Sequence, residues 1–220
     1  MIETEKIFKY RIRLSKSSDS LPRAELRRML CDSVAKSGVK YAVSKNWPKV
    51  ALGPCSQDGE ASISEYADIC LKESVDVEEL KLKLATYISG GFKIEEIEEI
   101  PYGLCSLESL CEYAGYLLSP VDGETLKAMD NSKAEIEILH ENGMRELKKA
   151  RRLIYDIKSL GGNDVEIIVK LSTLRSFGLE RILSALLGLE VGAVKLNRLR
   201  RALYWARSDG SLEPLRREKN

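Results

Sequence analysis

Few side chains in this 220-residue sequence could do chemistry, and their spacing excludes several reactions. The five cysteines lie at positions 31, 55, 70, 105 and 111, with 23, 14, 34 and 5 residues between successive members. These intervals leave no compact set of three thiolates that could hold an iron–sulfur cluster. Cys105 and Cys111 are the nearest pair, but one pair and a single histidine do not make a zinc site. We therefore expect no metal and no cofactor.

The single histidine, His140, precedes Asn142 and Gly143, which form a turn signal. This position predicts a structural role at a turn and leaves the chain without an obvious general base or activated nucleophile. The sequence also lacks a Gly-x-Gly-x-x-Gly or phosphate-loop pattern. We assign no catalytic residue and favour a protein that is not itself an enzyme.

Two groups of cations are the strongest functional signal from the residues alone. Positive charges track phosphates and aromatic rings stack on bases, so cations and rings interleaved on a sheet suit single-stranded RNA. An acidic protein partner, or an ordinary solvated surface, explains the same pattern. The first group is Lys148, Lys149, Arg151 and Arg152, and the second is Lys195, Arg198, Arg200 and Arg201, followed by Tyr204, Trp205 and Arg207.

Composition indicates a globular protein, with 44% hydrophobic and 31% charged residues. The first 120 residues carry 16 basic and 19 acidic side chains, and the remaining 100 carry 19 basic and 15 acidic ones. The sequence contains no apolar run long enough to span a membrane and no signal-peptide core at its start. We expect a cytoplasmic protein with reduced thiols and no membrane partner.

The order of elements predicts an α+β fold. Strands are expected at 7–14, 63–71 and 92–100, with helices after Pro22 and after Asp76. Val39, Tyr41 and Val43 alternate with polar residues and predict a further half-buried strand.

The second half repeats the theme. Strands are expected at 113–118, 134–139 and 165–171 and within 193–206, and helices at 123–129 and 178–187. We therefore predict two tandem ferredoxin-like (split βαβ) halves, 1–103 and 109–220, each with an antiparallel sheet and helices on one face. Residues 144–160 form a basic insertion that we predict to be helical.

Four segments resemble a known bacterial family of uncharacterised function. They are "RIRLSK" (11–16), "SEYADICL" (64–71), "GFKIEEIEEIP" (91–101) and "ALYWARSDGSLEPL" (202–215). The family is associated with radical SAM chemistry, being encoded beside, or fused to, a radical SAM protein with a cobalamin-binding domain. The resemblance implies an accessory role beside such an enzyme and supplies no known reaction.

The chain departs from that family at two places. Where the family has Ser-His-Leu-Asp opening the first helix, this chain has Pro22 to Glu25, so that Arg23 replaces the histidine and Glu25 the aspartate. The family's Gly-Phe-Asn-Pro-x-Pro turn is shortened to 46–49, and Trp47 takes the phenylalanine position. The "EYAD" element of Glu65 to Asp68 is retained.

These positions define a candidate pocket that consists of Arg23, Glu25, Trp47, Glu65 and Asp68. Glu65 and Asp68 are three residues apart on a predicted strand, so we expect their side chains on opposite faces. Trp47 is expected to be either a lid on the core or a stacking platform. The leading hypothesis is a non-catalytic accessory protein of a radical SAM enzyme. The alternatives are an RNA-binding module and an enzyme whose site lies around Arg23, Glu25 and Trp47.

Overall fold

The structure, a computed structural model, describes residues 6–139 and 144–215 and confirms the predicted α+β class. The chain divides into two compact units, residues 1–111 and 112–220. The single histidine, at position 140, lies outside the described residues, so its predicted turn is not tested. Within the described part of the chain, no helix is both long and apolar enough to span a membrane.

The first unit contains six strands and three helices in its described residues. In chain order these are β1 (Phe8–Lys16), α1 (Arg23–Lys36), β2 (Val43–Ser44), β3 (Trp47–Pro48), β4 (Val50–Leu52), β5 (Ala61–Leu71), α2 (Val77–Ala85), β6 (Phe92–Ile100) and α3 (Leu107–Leu110). The main sheet has the order β4-β5-β1-β6 with every neighbouring pair antiparallel. The strands β1, β5 and β6 and the helices α1 and α2 confirm the predicted elements within a few residues.

One face of this sheet forms the core of the first unit. Tyr10, Ile12 and Leu14 alternate along β1 and are fully buried. Helix α1 packs on the same core through a stripe at helical spacing, Leu26, Leu30 and Val34. Helix α2 begins at Asp76, whose side chain accepts hydrogen bonds from the backbone N–H groups of residues 78 and 79, and it adds Leu80 and Leu84.

The expected half-buried strand after α1 is only partly present. Val39 is buried, but Val43 is 56% exposed because β2 and β3 form a separate two-stranded hairpin. Lys45 and Asn46 connect these strands with φ angles of 51° and 69°, the left-handed conformation of a tight hairpin turn. The turn ends the alternation at Ser44.

The second unit contains a further antiparallel sheet. Its elements are β7 (Tyr113–Ser119), α4 (Gly123–Asn131), β8 (Glu135–Leu139), β9 (Arg145–Lys149), a 3-10 helix (Ala150–Leu153), β10 (Ile154–Gly161), β11 (Asp164–Lys170), α5 (Leu171–Phe177), α6 (Leu179–Leu187), β12 (Asn197–Ala206) and β13 (Leu212–Pro214). The sheet has the order β10-β11-β7-β12, with β13 paired to β12, and β8 and β9 form a separate hairpin. Gly178, with φ of +70°, separates α5 from α6.

The helix predicted for 144–160 is wrong. The segment contains β9, the 3-10 helix and β10, because each end finds a strand partner in a hairpin. Ile154 and Ile157 pair with Val169 and Ile167 on β11. Gly161 and Gly162 take positive φ angles at the connecting turn. The apolar spacing that suggested a helix therefore serves strand pairing, and tertiary pairing overrides local pattern.

Candidate functional site

Helix α1 presents two arginines, one turn apart, at its beginning. The buried stripe of α1 fixes its rotation, so Arg23, Ala24 and Arg27 fall on a side that the core does not cover. Further along α1, the Cys31 Sγ lies 3.8 Å from the Pro48 carbonyl oxygen of β3. The helix therefore runs beside β3 and β4, and its two arginines overhang that side of the sheet.

A groove of about 710 Å³ lies between the start of α1, strand β4 and helix α3. It is lined by Arg23, Ala24, Arg27, Val50, Ala51, Leu52 and Glu108. Consecutive residues of a strand point to opposite faces of a sheet. A groove that touches all three residues of β4 must therefore reach the strand from its side, where the backbone is accessible.

Strand β4 is an edge strand of the first unit's sheet, paired only with β5 there. Backbone hydrogen bonds from Cys70 N to Lys49 O (3.2 Å) and from Gly53 N to Tyr66 O (2.8 Å) fix the pairing pattern. In an antiparallel pair, alternate residues direct both backbone groups towards the partner strand. Residues 49, 51 and 53 therefore face β5, and the N–H and C=O groups of Val50 and Leu52 face the groove. No hydrogen bond from the described part of the chain reaches those four groups.

The two arginines differ in what holds them. Arg23 Nη2 lies 2.7 Å from Glu108 Oε1, and both side chains are about half exposed, at 48% and 52%. This hydrogen bond raises the pKa of Arg23, and the carboxylate of Glu65 contributes in the same direction. Arg27 makes no ion pair or hydrogen bond with any described residue and is exposed. Its charge is therefore available to a ligand in the groove.

Glu65 lies behind the groove, in the interior. Its side chain is 1% exposed, and its Oε1 accepts hydrogen bonds from the Ser56 hydroxyl at 2.7 Å and the Ser56 N–H at 3.2 Å. The carboxylate therefore orders the loop after β4, and its charge reaches Arg23 without lining the groove.

Asp68 lies on the other face of the sheet, as the three-residue spacing from Glu65 predicted. It pairs across strands with Arg11, whereas Glu65 pairs with Leu14. Arg11 Nε and Nη2 donate to the two Asp68 oxygens at 2.8 and 3.1 Å, and Lys9 Nζ lies 3.0 Å from Oδ2. All three side chains are buried. Asp68 is thus the shared anion of a buried ion-pair cluster.

The structure does not bring the five candidate pocket residues together. Arg23 alone among them lines the groove, and Glu65 lies behind it. Glu25 pairs with Arg28 at 3.1 Å and faces a different, smaller cavity. Trp47 is 55% exposed on the β2–β3 hairpin, which corrects the expectation of a core lid.

Sequence reasoning missed Arg27, Glu108 and β4 as parts of one site. Arg27 follows Arg23 by four residues, a spacing that places both on the same helix side. That signal was present in the sequence. Glu108 and β4 join the site through the turn of chain between β6 and α3 and through the edge position of β4, neither of which a local pattern shows.

The predicted basic surface of the second unit is largely neutralised. Arg198 pairs with Glu180 at 3.3 Å, Arg151 with Asp130 at 3.0 Å, and Lys148 with Glu146 at 3.5 Å. Arg200 is fully buried and is therefore not available to a phosphate, which corrects its placement on the surface. The remaining members Lys149, Arg152 and Arg201 are exposed.

Tyrosines lie on the other face of the second unit's sheet, opposite the buried row Val165, Ile167 and Val169. The rings of Tyr113 and Tyr155 meet edge to face with centroids 5.0 Å apart, and Lys170 Nζ lies 5.9 Å from the Tyr113 ring. Tyr204, from β12, covers Gly115, where a Cβ would lie 2.9 Å from its ring. Its neighbour Trp205 is half-buried.

The cysteines do not gather. Cys105 is exposed, whereas Cys31, Cys70 and Cys111 are buried. Burial raises the pKa of the Cys31 and Cys70 thiols. Within the described ranges, no group of three or more His, Cys, Asp or Glu residues is placed to hold a metal ion.

Fold and site together define a two-unit α+β protein with a basic groove beside an edge strand. The profile of a bacterial family described as "Uncharacterized protein conserved in bacteria (DUF2344)" matches residues 9–181. The chain belongs to this family.

A search of curated proteins finds no match. A solved structure described as an unknown protein from Galdieria sulphuraria is 9% identical to this chain, with a TM-score of 0.29. The alignment covers 89% of this chain and 99% of that one.

Proposed function

We propose that this protein is a non-catalytic accessory protein that binds a radical SAM enzyme in the cytoplasm, and that the groove beside β4 is its binding surface. The observation that carries the proposal is Arg27, an exposed cation on the groove wall with no partner among the described residues. An open groove with such a cation suits recognition of an acidic partner. The sequence resemblance to a family associated with radical SAM enzymes supplies the identity of that partner.

The position of the groove agrees with the resemblance. Arg23 stands where the family's helix-opening histidine stands, and this residue lines the groove. The Arg23–Glu108 pair holds one rim closed and leaves Arg27 to the partner. Both arginines sit on a helix anchored by buried leucines, so the cations are presented on a rigid element.

Co-expression with the radical SAM enzyme encoded beside it tests this proposal. We expect the two proteins to co-elute on size exclusion, and Arg27→Gln to weaken the complex and reduce its salt sensitivity. Arg28→Gln is the matched control, because Arg28 lies on the same helix but pairs with Glu25 away from the groove. Separate elution of the two wild-type proteins would contradict the proposed function.

We propose single-stranded RNA binding by the second unit as a second candidate. The observation that favours it is the half-exposed Tyr155 ring beside Tyr113 and Lys170, a stacking surface next to a cation. Tyr155→Ala should cost about 1–3 kcal/mol of binding free energy if the ring stacks on a base. Neutralising Lys149, Arg152 and Arg201 should lower the salt slope by roughly 0.7 for each phosphate that these cations no longer neutralise. No binding to a labelled oligonucleotide at low salt would exclude this candidate.

We propose, finally, that the two units are tandem ferredoxin-like halves. In the first, β1 lies between β5 and β6, and in the second, β7 lies between β11 and β12. Helices follow β1 and β5 in the first unit and β7 and β11 in the second. These orders support the split βαβ arrangement. An experimental structure of the protein tests it.

A further inference from the structure

We propose that the partner binds by adding an extended strand to the edge of β4, with an acidic side chain of that strand reaching Arg27. This inference rests on the proposed function, because it specifies how a partner protein occupies the same groove. It names the class of ligand as an extended acidic peptide segment of another protein.

The first argument is the open edge. Val50 and Leu52 direct two N–H donors and two C=O acceptors into the groove, and nothing in the described chain pairs with them. Backbone groups of this kind are usually satisfied in native structures. An edge strand with unpaired groups is a template for another strand. A peptide that pairs with β4 needs only about 10 Å of extended chain, the length of three residues.

The second argument is the shape of the groove. Helix α1 runs along one side of the β4 edge, and α3 contributes Glu108 on the other rim. A strand between a helix and a sheet edge can bury the side chains of alternate residues against the helix, while main-chain bonds hold it to the sheet. The groove of about 710 Å³ is roomy enough for a short extended segment.

The third argument is charge. Side chains of an added strand that point towards α1 meet Ala24, which leaves space, and Arg27, which has no counter-ion among the described residues. Glu108 is already committed to Arg23 at 2.7 Å, so the rim does not present a free carboxylate there. An acidic residue on the helix-facing side of the strand therefore completes the site. A small anion could use the arginines but would leave the β4 backbone groups unpaired.

The test uses a fluorescein-labelled, end-blocked peptide of sequence Thr-Val-Asp-Val-Thr and the full-length protein, followed by fluorescence anisotropy. N-methylation is introduced at one residue of the peptide at a time. Alternate residues of a strand point their N–H groups to opposite sides. We expect binding to fall about tenfold when the methyl group faces β4 and to change little at the intervening residues. An alternating pattern is the signature of strand addition.

Two further arms test the charge. Replacing the peptide Asp by Asn, or Arg27 by Gln, should each weaken binding by roughly tenfold or more, and combining them should add little. Arg28→Gln should leave the affinity unchanged. Equal loss at every N-methylated position, or no loss, would overturn the strand-addition model.

The outcomes separate this inference from the proposed function. If the radical SAM enzyme co-elutes with the protein but the peptide shows no alternation, the accessory role stands and strand addition is refuted. If the peptide binds with alternation while the enzyme elutes separately, strand addition stands and the proposed partner is refuted. A dimer of this chain that the peptide dissociates would show a second copy at the edge, and would overturn assignment of the groove to a different protein.

Discussion

Asp68 is the most sensitive polar position that the structure reveals. It accepts a two-point interaction from Arg11 at 2.8 and 3.1 Å and a third contact from Lys9 at 3.0 Å. The exposed fractions of the Arg11 and Asp68 side chains are 4% and 2%. Replacing Asp68 by Asn keeps the shape but leaves two buried cations without a counter-ion.

Breaking a buried ion pair by removing one partner costs about 3–5 kcal/mol, because the remaining charge stays in a low-dielectric interior. We therefore expect Asp68→Asn to lower the free energy of unfolding of the first unit by about that amount. Urea denaturation followed by circular dichroism measures it. The change should appear as a lower midpoint, with the slope of the transition preserved.

Glu108→Gln is the matched control for Asp68→Asn. Glu108 also pairs with an arginine at a short distance, but both side chains are about half exposed, and exposed pairs contribute about 0–1 kcal/mol. A loss below about 1 kcal/mol for Asp68→Asn, or equal losses for the two variants, would refute the reasoning from burial.

Two further predictions concern Trp47 and the cysteines. Trp47→Ala should change the unfolding free energy by less than about 0.5 kcal/mol, since the ring is 55% exposed on a hairpin; a large loss in a urea melt would show that the ring is a lid on the core. Cys105 should react fastest with a thiol reagent and Cys105→Ser should remove the fast phase, whereas buried Cys70, whose raised pKa keeps it protonated, should react only after unfolding. Because the unfolded state loses that proton at lower pH than the folded state, stability should fall as pH rises above the ordinary thiol pKa, and Cys70→Ser should reduce this dependence. Rapid labelling of Cys70 in the folded protein would contradict its placement.

Much of the first unit could be predicted from sequence, because its local signals agree with one another. Pro22 marks the start of α1, Asp76 caps α2, and β6 has the predicted bounds 92–100. In each case the apolar period matched the element and a capping or breaking residue marked its end.

The elements and sites that prediction missed depend on distant pairing. The 144–160 segment carries apolar residues at spacings that a helix would use, and only pairing with β8 and β11 makes it two strands. Arg200 looked like a surface cation in a basic run, but a β-bulge at Arg201 shifts the register of β12 and the Arg200 side chain is buried. The groove requires knowing that β4 is an edge strand, which no local pattern encodes.

Hydrogen exchange at the three residues of β4 tests the central claim most directly. In the free protein, the N–H groups of Val50 and Leu52, which face the groove, should exchange at least tenfold faster than that of Ala51, which faces β5. Adding the bound partner or the acidic peptide should slow Val50 and Leu52 and leave Ala51 unchanged. Slow exchange at Val50 and Leu52 in the free protein, or no protection on binding, would contradict the account.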